Sequence, residues 1–374
     1  METKHGLQKS ETFFEEKKIF PSYQTLIFPI QNLDPTHEKL AHEHIVNIDQ
    51  CLESNRESIH QIKNKPFLVP KLTFLYGPWV CNLKCPRYCY TKGLKTKTIP
   101  LLTMKEIIKW AEEHGTRYTY WPGVGETTLL PEFWEILQYQ NTLSMPAVIF
   151  TNGSIFFDEQ LCQDALKMSC LELIELINTM PNLYLYIKVW STNENIARGM
   201  TGVSTEKNYP YEFYFNLNLP KAFQILHSRF KKRIGIQCMV TQKNYDDYEN
   251  NILPFCTENQ ISLFAEPIIF SGNANLNLQT KKEALSLEQQ LSIQHTFASG
   301  GQACANRQFL EMIIVGDKMV PGIAIPPRAE DSIFDEEGTL KELNEVFFNS
   351  YFREHRKKSK ETNSCLCRSY WNEK

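Results

Sequence analysis

The sequence has no long apolar run, no internal repeat and little net charge, and each absence excludes a class of protein. None of its 374 residues belongs to an apolar stretch approaching the roughly 18 that a transmembrane helix needs. The first 20 residues lack the apolar run of a secretory signal. A net charge of −3 disfavours a dedicated binder of nucleic-acid phosphates. We therefore expect a cytoplasmic protein without membrane or nucleic-acid partners.

Cysteine is the unusual residue type. The chain has 11 cysteines, an odd number that excludes a fully paired disulfide framework, and a chain of this length does not need one. In a reducing compartment, cysteines that cluster in sequence are candidate metal or redox ligands. Isolated cysteines are expected to pack as small apolar residues. The isolated ones are Cys51, Cys162, Cys170, Cys238 and Cys256.

Apolar patterning predicts strands that alternate with helices. The predicted strands cover residues 72–76, 117–121, 147–150, 183–190, 234–240 and 261–269. The predicted helices cover residues 102–114, 131–140, 161–177, 219–229 and 245–256. Thr103 is the expected N-cap of the first helix, and Gly115 its expected stop. Six alternating units predict parallel βαβ topology, in a partial barrel or a doubly wound sheet, with the chemistry at the carboxyl ends of the strands.

Three regions are expected along the chain. Residues 1–70 form a helical N-terminal region, and residues 71–285 hold the alternating strands and helices. Residues 286–374 follow a polar linker and contain a predicted hairpin over residues 308–325 and a helix near residues 340–356.

A cysteine-rich loop directly follows the first predicted strand. Cys81, Cys85 and Cys89 place three thiols within nine residues. Closely spaced thiolates on irregular backbone are typical ligands of an iron–sulfur cluster, and three rather than four leave one iron open to a substrate or cofactor. The alternative is a structural zinc site completed by another side chain such as His114.

The loop Cys81-Asn-Leu-Lys-Cys85-Pro-Arg-Tyr-Cys89 resembles the signature of the radical S-adenosylmethionine (radical SAM) enzymes. That family has CX3CX2C after the first strand of a partial (β/α)6 barrel. This chain has CX3CX3C, and Arg87 is the expected insertion. Tyr88 falls at the aromatic position before the third cysteine, where the resemblance implies cofactor contact. An inserted residue must be accommodated by a bulge for Cys89 to reach the cluster.

Four later segments resemble SAM-binding motifs in the order that the family has them, each at a predicted strand end. The segment from Trp121 to Trp134 is similar to the glycine-rich turn that binds the SAM amino group. Its glycines allow the backbone to approach the ligand closely, and its carboxylate can pair with an ammonium. The others resemble the TNG turn, the Lys/Ser segment that contacts the SAM carboxylate and ribose, and the turn near adenine. The implied SAM-binding residues are Gly123, Gly125, Glu126, Thr151, Asn152, Lys188, Ser191 and Gly272.

The C-terminal region resembles a SPASM or shorter twitch extension, which holds auxiliary iron–sulfur clusters. Cys304, Cys365 and Cys367 are the implied ligands of one such cluster. The cysteine expected after the hairpin is missing, since Gly322 stands about there. The alternative is an extension that has lost its cluster or binds zinc.

The resemblance implies a partial (β/α)6 TIM-like barrel with a helical N-terminal region and a small C-terminal α+β iron–sulfur extension. It implies a 4Fe–4S cluster and SAM as cofactors, and a reductant such as flavodoxin or ferredoxin. SAM would be cleaved to a 5′-deoxyadenosyl radical that abstracts hydrogen from an unactivated carbon, most simply in a ribosomally made peptide. The alternatives are tailoring of a small molecule (a sugar, nucleoside or cofactor precursor) and a non-catalytic iron–sulfur or zinc protein. No residue is identified as a proton or radical donor.

Overall fold

The computed structural model describes most of residues 71–202, 233–267 and 311–362. Within those spans it leaves out positions 79, 87, 90, 93–95, 144, 260 and 322–327. Elsewhere it describes residues 43, 47–50, 52–53, 226, 228–230, 282–286, 289 and 293. Most of the predicted N-terminal helices and of the predicted helix at 219–229 therefore lies outside the described residues.

Strands and helices alternate as the apolar pattern predicts. The strands are β1 Lys71–Leu75, β2 Tyr118–Trp121, β3 Ala147–Thr151, β4 Leu183–Lys188, β5 Ile234–Val240, β6 Ser262–Pro267, β7 Glu311–Val315 and β8 Lys318–Val320. The helices are α1 Leu101–Glu113, α2 Pro131–Thr142, α3 Glu159–Leu166, α4 Cys170–Asn178, α5 Glu194–Thr201, α6 Tyr245–Asp247, α7 Leu253–Glu258, α8 Leu343–Phe347 and α9 Ser350–Thr362. A π-helical segment, Tyr248–Ile252, joins α6 to α7.

The strands form one unclosed sheet in the order β6-β5-β4-β3-β2-β1-β7-β8. Every neighbouring pair is parallel except β7 and β8, which form an antiparallel hairpin. This arrangement confirms the expected partial TIM-like barrel. Because β1 to β6 are parallel, their carboxyl ends and the loops that follow them meet at one edge of the sheet, where ligands bind in such folds.

Alternation along the strands sends one set of side chains to the helices and the other to the barrel interior. Leu72 and Phe74 of β1 belong to the large apolar core that includes the helices. The inward set includes an apolar cluster of five aromatic residues and one valine: Tyr118, Tyr120, Val148, Phe150, Tyr186 and Phe264. Its rings pack closely, with Phe150 stacked on Tyr186 at 5.1 Å between ring centroids. The interior at this level is therefore filled with side chains.

The hairpin predicted in the C-terminal region is part of the main sheet. β7 pairs with β1 in parallel, and Lys71 lies opposite Glu311 in the register. The Lys71 Nζ and Glu311 Oε1 atoms form a buried ion pair at 3.0 Å. Lys71 also lies over the ring of Tyr120, 3.9 Å from its centroid. The sequence did not predict this pairing, because no local pattern specifies which strand a distant hairpin joins.

Three predicted helix boundaries are wrong. The helix expected over residues 161–177 is two helices, because Lys167 adopts a left-handed conformation (φ 60°) and Ser169 starts α4 with a capping box to Glu172. Helix α1 begins at Leu101, so Thr103 lies inside it rather than at its N-cap. The last predicted helix is likewise divided into α8 and α9.

An ion pair ties the described part of the N-terminal region to α9. Arg356 donates from Nε and Nη2 to the two carboxylate oxygens of Asp49, at 2.6 and 2.5 Å. Ile48 beside it is buried in the main apolar core. No helix in the described part of the chain is both long and apolar enough to cross a membrane.

Candidate functional site

A cavity that is open to solvent lies at the carboxyl ends of the strands. The loop after β1, the turn after β2 and the ends of β3, β4 and β5 supply its walls. The lining residues are Cys81, Leu83, Cys85, Cys89, Thr91, Pro122, Gly125, Glu126, Phe150, Thr151, Asn152, Lys188, Trp190 and Gln237. The cavity therefore brings together segments that are more than 150 residues apart in sequence.

The three clustered cysteines line this cavity together. Cys81, Cys85 and Cys89 are each partly exposed and carry free thiols. Burial raises the pKa of Cys85 to about 11, although the nearby Lys188 ammonium lowers it. Burial, with a further contribution from the Glu126 carboxylate, also raises the pKa of Cys81. Both thiols are therefore neutral near pH 7 until a cation displaces the proton, and metal binding at this site would release protons.

The donor set fits an iron–sulfur cluster. Three thiols on an irregular loop, reaching one cavity, supply the soft ligands that such clusters take. In the described residues, no group of three or more His, Cys, Asp or Glu side chains is placed to hold a metal ion. His114 caps the carboxyl end of α1, just before β2, and therefore lies at the opposite edge of the sheet. His114 is therefore not beside the three thiols.

The glycine-rich turn after β2 is packed directly against the cysteine loop. Gly123 and Gly125 both have positive φ, 79° and 75°. Gly125 forms an isolated parallel bridge with Val80, and a Cβ atom at Gly125 would lie 2.3 Å from the Val80 carbonyl oxygen. Only glycine fits at this position without a shift of backbone. Gly125 N also donates to Thr91 Oγ1 at 3.3 Å, which adds a second link to the loop.

Glu126 is a buried carboxylate at the wall of the cavity. Its Oε1 accepts from the hydroxyls of Thr128 and Thr151 at 2.5 and 2.6 Å, and its Oε2 accepts from Asn152 N at 2.7 Å. Burial raises the pKa of Glu126, while these hydrogen bonds lower it in part. These donors fix the orientation of the carboxylate before any ligand arrives, which suits a group that receives a cation.

The turn after β3 connects Glu126 to the cysteine loop through side-chain amides. Asn152 Nδ2 donates to Asn82 Oδ1 at 2.9 Å, and Asn82 Nδ2 donates to Ser154 Oγ at 2.7 Å. Ser154 Oγ in turn donates to Asn152 Oδ1 at 2.6 Å. Asn82 lies beside Cys81, so this three-residue network positions the start of the loop relative to β3.

Part of the chain is similar in sequence to an S-adenosylmethionine-dependent enzyme. No family model matches the sequence. An S-adenosylmethionine-dependent nucleotide dehydratase from Flammeovirga pacifica is 27% identical over 195 residues, 50% of this chain and 59% of that protein. The chain thus spans somewhat over half the length of the curated relative that it matches.

The solved structure of SuiB shares the fold. SuiB of Streptococcus suis, bound to the precursor peptide SuiA, is matched over 82% of this chain and 71% of SuiB, at TM-score 0.51 and 15% identity. A structure of anSMEcpe with bound AdoMet is matched over 53% of this chain and 50% of that one, at TM-score 0.37 and 18% identity. The chain therefore shares the fold of SuiB and is similar in sequence, over half of its length, to an S-adenosylmethionine-dependent enzyme.

Most residues that the radical SAM resemblance implies as SAM ligands meet at the cavity. Lys188 lies on its wall, with Nζ 4.5 Å from the centroid of the Trp190 ring. Glu126, Gly125, Thr151 and Asn152 share the same wall. Gly272, Cys304, Cys365 and Cys367 lie outside the described residues.

Two of the implied residues are engaged elsewhere. Tyr88 is buried and is not among the residues that line the cavity. Ser191 Oγ donates to Asp247 Oδ2 at 2.6 Å and accepts from Asn193 N at 3.0 Å. Burial would raise the pKa of Asp247, but hydrogen bonds from Ser191, Thr192 and other donors lower it. Asp247 therefore carries charge at neutral pH and holds the segment after β4.

Further lining residues were not assigned to the site from the sequence. Gln237 of β5 faces the cavity, and its Nε2 donates to Glu266 Oε1 on β6 at 2.6 Å. Thr91 lies 3.6 Å from Cys89, between their oxygen and sulfur atoms. The inward position of Gln237 follows from the alternation of side chains along β5, so the sequence could have predicted it. Nothing in the local sequence around Thr91 marks it. The isolated cysteines that are described, Cys162, Cys170, Cys238 and Cys256, are buried, as the sequence predicts.

Proposed function

We propose that the chain binds a 4Fe–4S cluster through Cys81, Cys85 and Cys89 and cleaves SAM reductively. The supporting observation is that three thiols, the oriented carboxylate of Glu126 and the ammonium of Lys188 face one cavity. When bound, the cluster would supply the electron that breaks the sulfonium carbon–sulfur bond of SAM, giving methionine and the 5′-deoxyadenosyl radical that abstracts hydrogen from substrate. A flavodoxin or ferredoxin is the proposed reductant.

The chain's own residues bind SAM and limit the access of water. Glu126, already oriented by three donors, accepts from the ammonium of SAM, and Lys188 pairs with its carboxylate. The backbone near Gly123 and Asn152 allows close approach of the methionine part. Phe150 and Trp190 cover part of the wall with apolar surface, which limits water around the reacting atoms.

The proposed substrate is a peptide. Lys188 is the only basic residue among the described residues that line the cavity, and it is already assigned to the SAM carboxylate. Phosphate-rich substrates are usually held by several Arg or Lys side chains. The neutral and aromatic remainder of the lining suits a peptide better. SuiB, whose fold this chain shares, is bound to a precursor peptide in its crystal structure.

A nucleotide is the second candidate substrate. The curated relative from Flammeovirga pacifica is a nucleotide dehydratase, and its likeness covers about half of this chain. In that case further basic side chains must reach the cavity from outside the described residues.

SAM cleavage is the first test. The anaerobically reconstituted chain is incubated with SAM and dithionite, and 5′-deoxyadenosine is measured by mass spectrometry. We expect product from the wild type and none from the Cys81/Cys85/Cys89 triple alanine variant. Cys238→Ala is the matched control, because this thiol is buried in β5 outside the cavity. Equal product from the triple variant would contradict the proposal.

Substrate class is tested in the same assay. Candidate precursor peptides encoded next to the gene form one arm, and the common nucleoside triphosphates form the other. A peptide that accelerates 5′-deoxyadenosine formation and loses hydrogen in its mass spectrum supports the peptide proposal. Acceleration by a nucleotide, with no response to peptides, favours the second candidate.

A further inference from the structure

Tyr88, the residue before the third cysteine, is one of the most buried side chains of the molecule. Its exposed fraction is 0%. Its ring belongs to an apolar cluster that includes Val124, Trp190 and Met239, and its centroid lies 5.9 Å from that of Trp190. Cys85 packs against the same cluster. The aromatic residue of the loop is therefore part of the core rather than part of the cavity wall.

The hydroxyl of Tyr88 is held by a residue 195 positions away. Tyr88 Oη donates to Glu283 Oε2. Glu283 is itself anchored, because its carbonyl oxygen accepts from Gln242 N at 2.8 Å in the loop after β5. A buried tyrosine hydroxyl needs such a partner, since leaving it unpaired costs free energy. The pair thus ties the cysteine loop to a segment that follows β6.

The position of this contact bears on the unusual cysteine spacing. Three residues separate Cys85 from Cys89, one more than in the motif that the loop resembles, and yet all three thiols line one cavity. Tyr88 lies immediately before Cys89. On the other side, Thr91 Oγ1 is 3.6 Å from Cys89 Sγ and accepts from Gly125 N. Cys89 is therefore flanked by two anchors.

We propose that Glu283 is a positioning residue for the third cluster ligand. By holding the Tyr88 hydroxyl in the core, Glu283 fixes the loop so that Cys89 faces the same cavity as Cys81 and Cys85 despite the longer spacing. This role of Glu283 rests on the proposed function, because Cys89 needs to be positioned only if it is a cluster ligand. The placement of Cys89 that the proposal describes is a property of the chain itself and can be measured without iron.

The test compares Tyr88→Phe and Glu283→Ala with Glu283→Gln, whose amide oxygen still accepts a hydrogen bond. Tyr186→Phe is the matched control, because Tyr186 is also buried and its hydroxyl pairs with Ser262 Oγ at 2.8 Å, away from the loop. The iron-free proteins are treated with iodoacetamide, and alkylation of each cysteine is followed by mass spectrometry. Melting temperature and iron bound after reconstitution are recorded in parallel.

We expect Tyr88→Phe and Glu283→Ala to alkylate several-fold faster at Cys89, with little change at Cys81, because the loop opens locally. Both should bind less iron, while Glu283→Gln stays near the wild type. Tyr186→Phe should lower the melting temperature without either effect. The inference is overturned if Tyr88→Phe behaves as Tyr186→Phe does, with lower stability and unchanged Cys89 reactivity. A wild type that binds no iron would refute the proposed function, whereas the alkylation rates would still decide the placement of Cys89.

Discussion

The backbone N–H of Glu126 donates to the carbonyl oxygen of Val80 at 2.6 Å. This bond joins the glycine-rich turn after β2 to the residue that precedes Cys81. The turn carries the carboxylate proposed for the SAM ammonium, and the loop carries the thiols proposed for the cluster. Because the two segments share a backbone contact, a displacement of one displaces the other. We therefore expect the binding of SAM to affect the binding of the cluster, and the reverse.

Gly125→Ala should therefore disturb the cysteine loop. The new Cβ would lie 2.3 Å from the Val80 carbonyl oxygen, and φ at this position is +75°. The left-handed conformation alone costs about 1–2 kcal/mol for a residue with a Cβ. Gly338→Ala is the control, since it has φ +83° but open space around its Cβ. We expect both variants to lose stability in urea unfolding, and only Gly125→Ala to lose iron. Equal iron in both would contradict this view of the turn.

The affinity for SAM should depend on pH through Glu126. Burial raises the pKa of this carboxyl above its ordinary value of 4.5. An ammonium binds the ionised carboxylate, so affinity should rise as the pH increases through the pKa of Glu126 and fall on acidification. Titration calorimetry from mildly acidic to neutral pH measures how the affinity for SAM changes with pH. It also measures the proton released on binding.

Glu126→Gln is the control for that pH dependence. Its amide cannot titrate, so the slope assigned to Glu126 should disappear. The loss of a charged hydrogen bond should weaken SAM binding by about 1.5–3 kcal/mol at neutral pH. An unchanged slope in this variant would assign the titration to another group.

The six parallel units were predictable because each strand and helix carries its own apolar period. The break between α3 and α4 was readable as well, since Ser169 and Glu172 form the S-x-x-E pattern of a capping box. The pairing of β7 with β1 was not, because it depends on contacts such as Lys71 with Glu311 that are 240 residues apart in the chain.

In the site, as in the fold, residues that follow strands could be predicted from the sequence, whereas their distant hydrogen-bond partners could not. Cys81, Cys85, Cys89 and Glu126 follow strands directly, and the meeting of strand ends brings them together. The hydrogen-bond partners of two implied residues, Asp247 for Ser191 and Glu283 for Tyr88, come from later segments. Ordinary acidic residues in polar stretches have no local signal that marks them as partners of a buried hydroxyl.

The C-terminal cysteines should hold a second cluster. Cys304, Cys365 and Cys367 lie outside the described residues, and their assignment rests on the resemblance of the C-terminal region. We expect the triple alanine variant to bind about half the iron of the wild type, with the SAM-cleaving cluster retained. Iron analysis and low-temperature electron paramagnetic resonance measure this. Unchanged iron would mean that this region binds no cluster.

Breaking the buried contact between the N-terminal region and α9 should destabilise the chain strongly. Arg356 is 2% exposed, is bonded to Asp49 through two nitrogens and also donates to Phe347 O at 3.0 Å. Asp49→Ala would leave the guanidinium buried without its counter-charge, at a cost of about 3–5 kcal/mol. The free energy of unfolding in urea measures the loss.

Glu113→Ala is the control for this ion pair. It removes an exposed pair with Lys109 at 3.7 Å and should cost no more than about 1 kcal/mol. The double variant Asp49→Leu/Arg356→Met tests the reason for the loss, because it removes both charges and should recover much of the stability. If the double variant is as unstable as Asp49→Ala, the lost stability comes from packing around α9 rather than from the unpaired charge of Arg356.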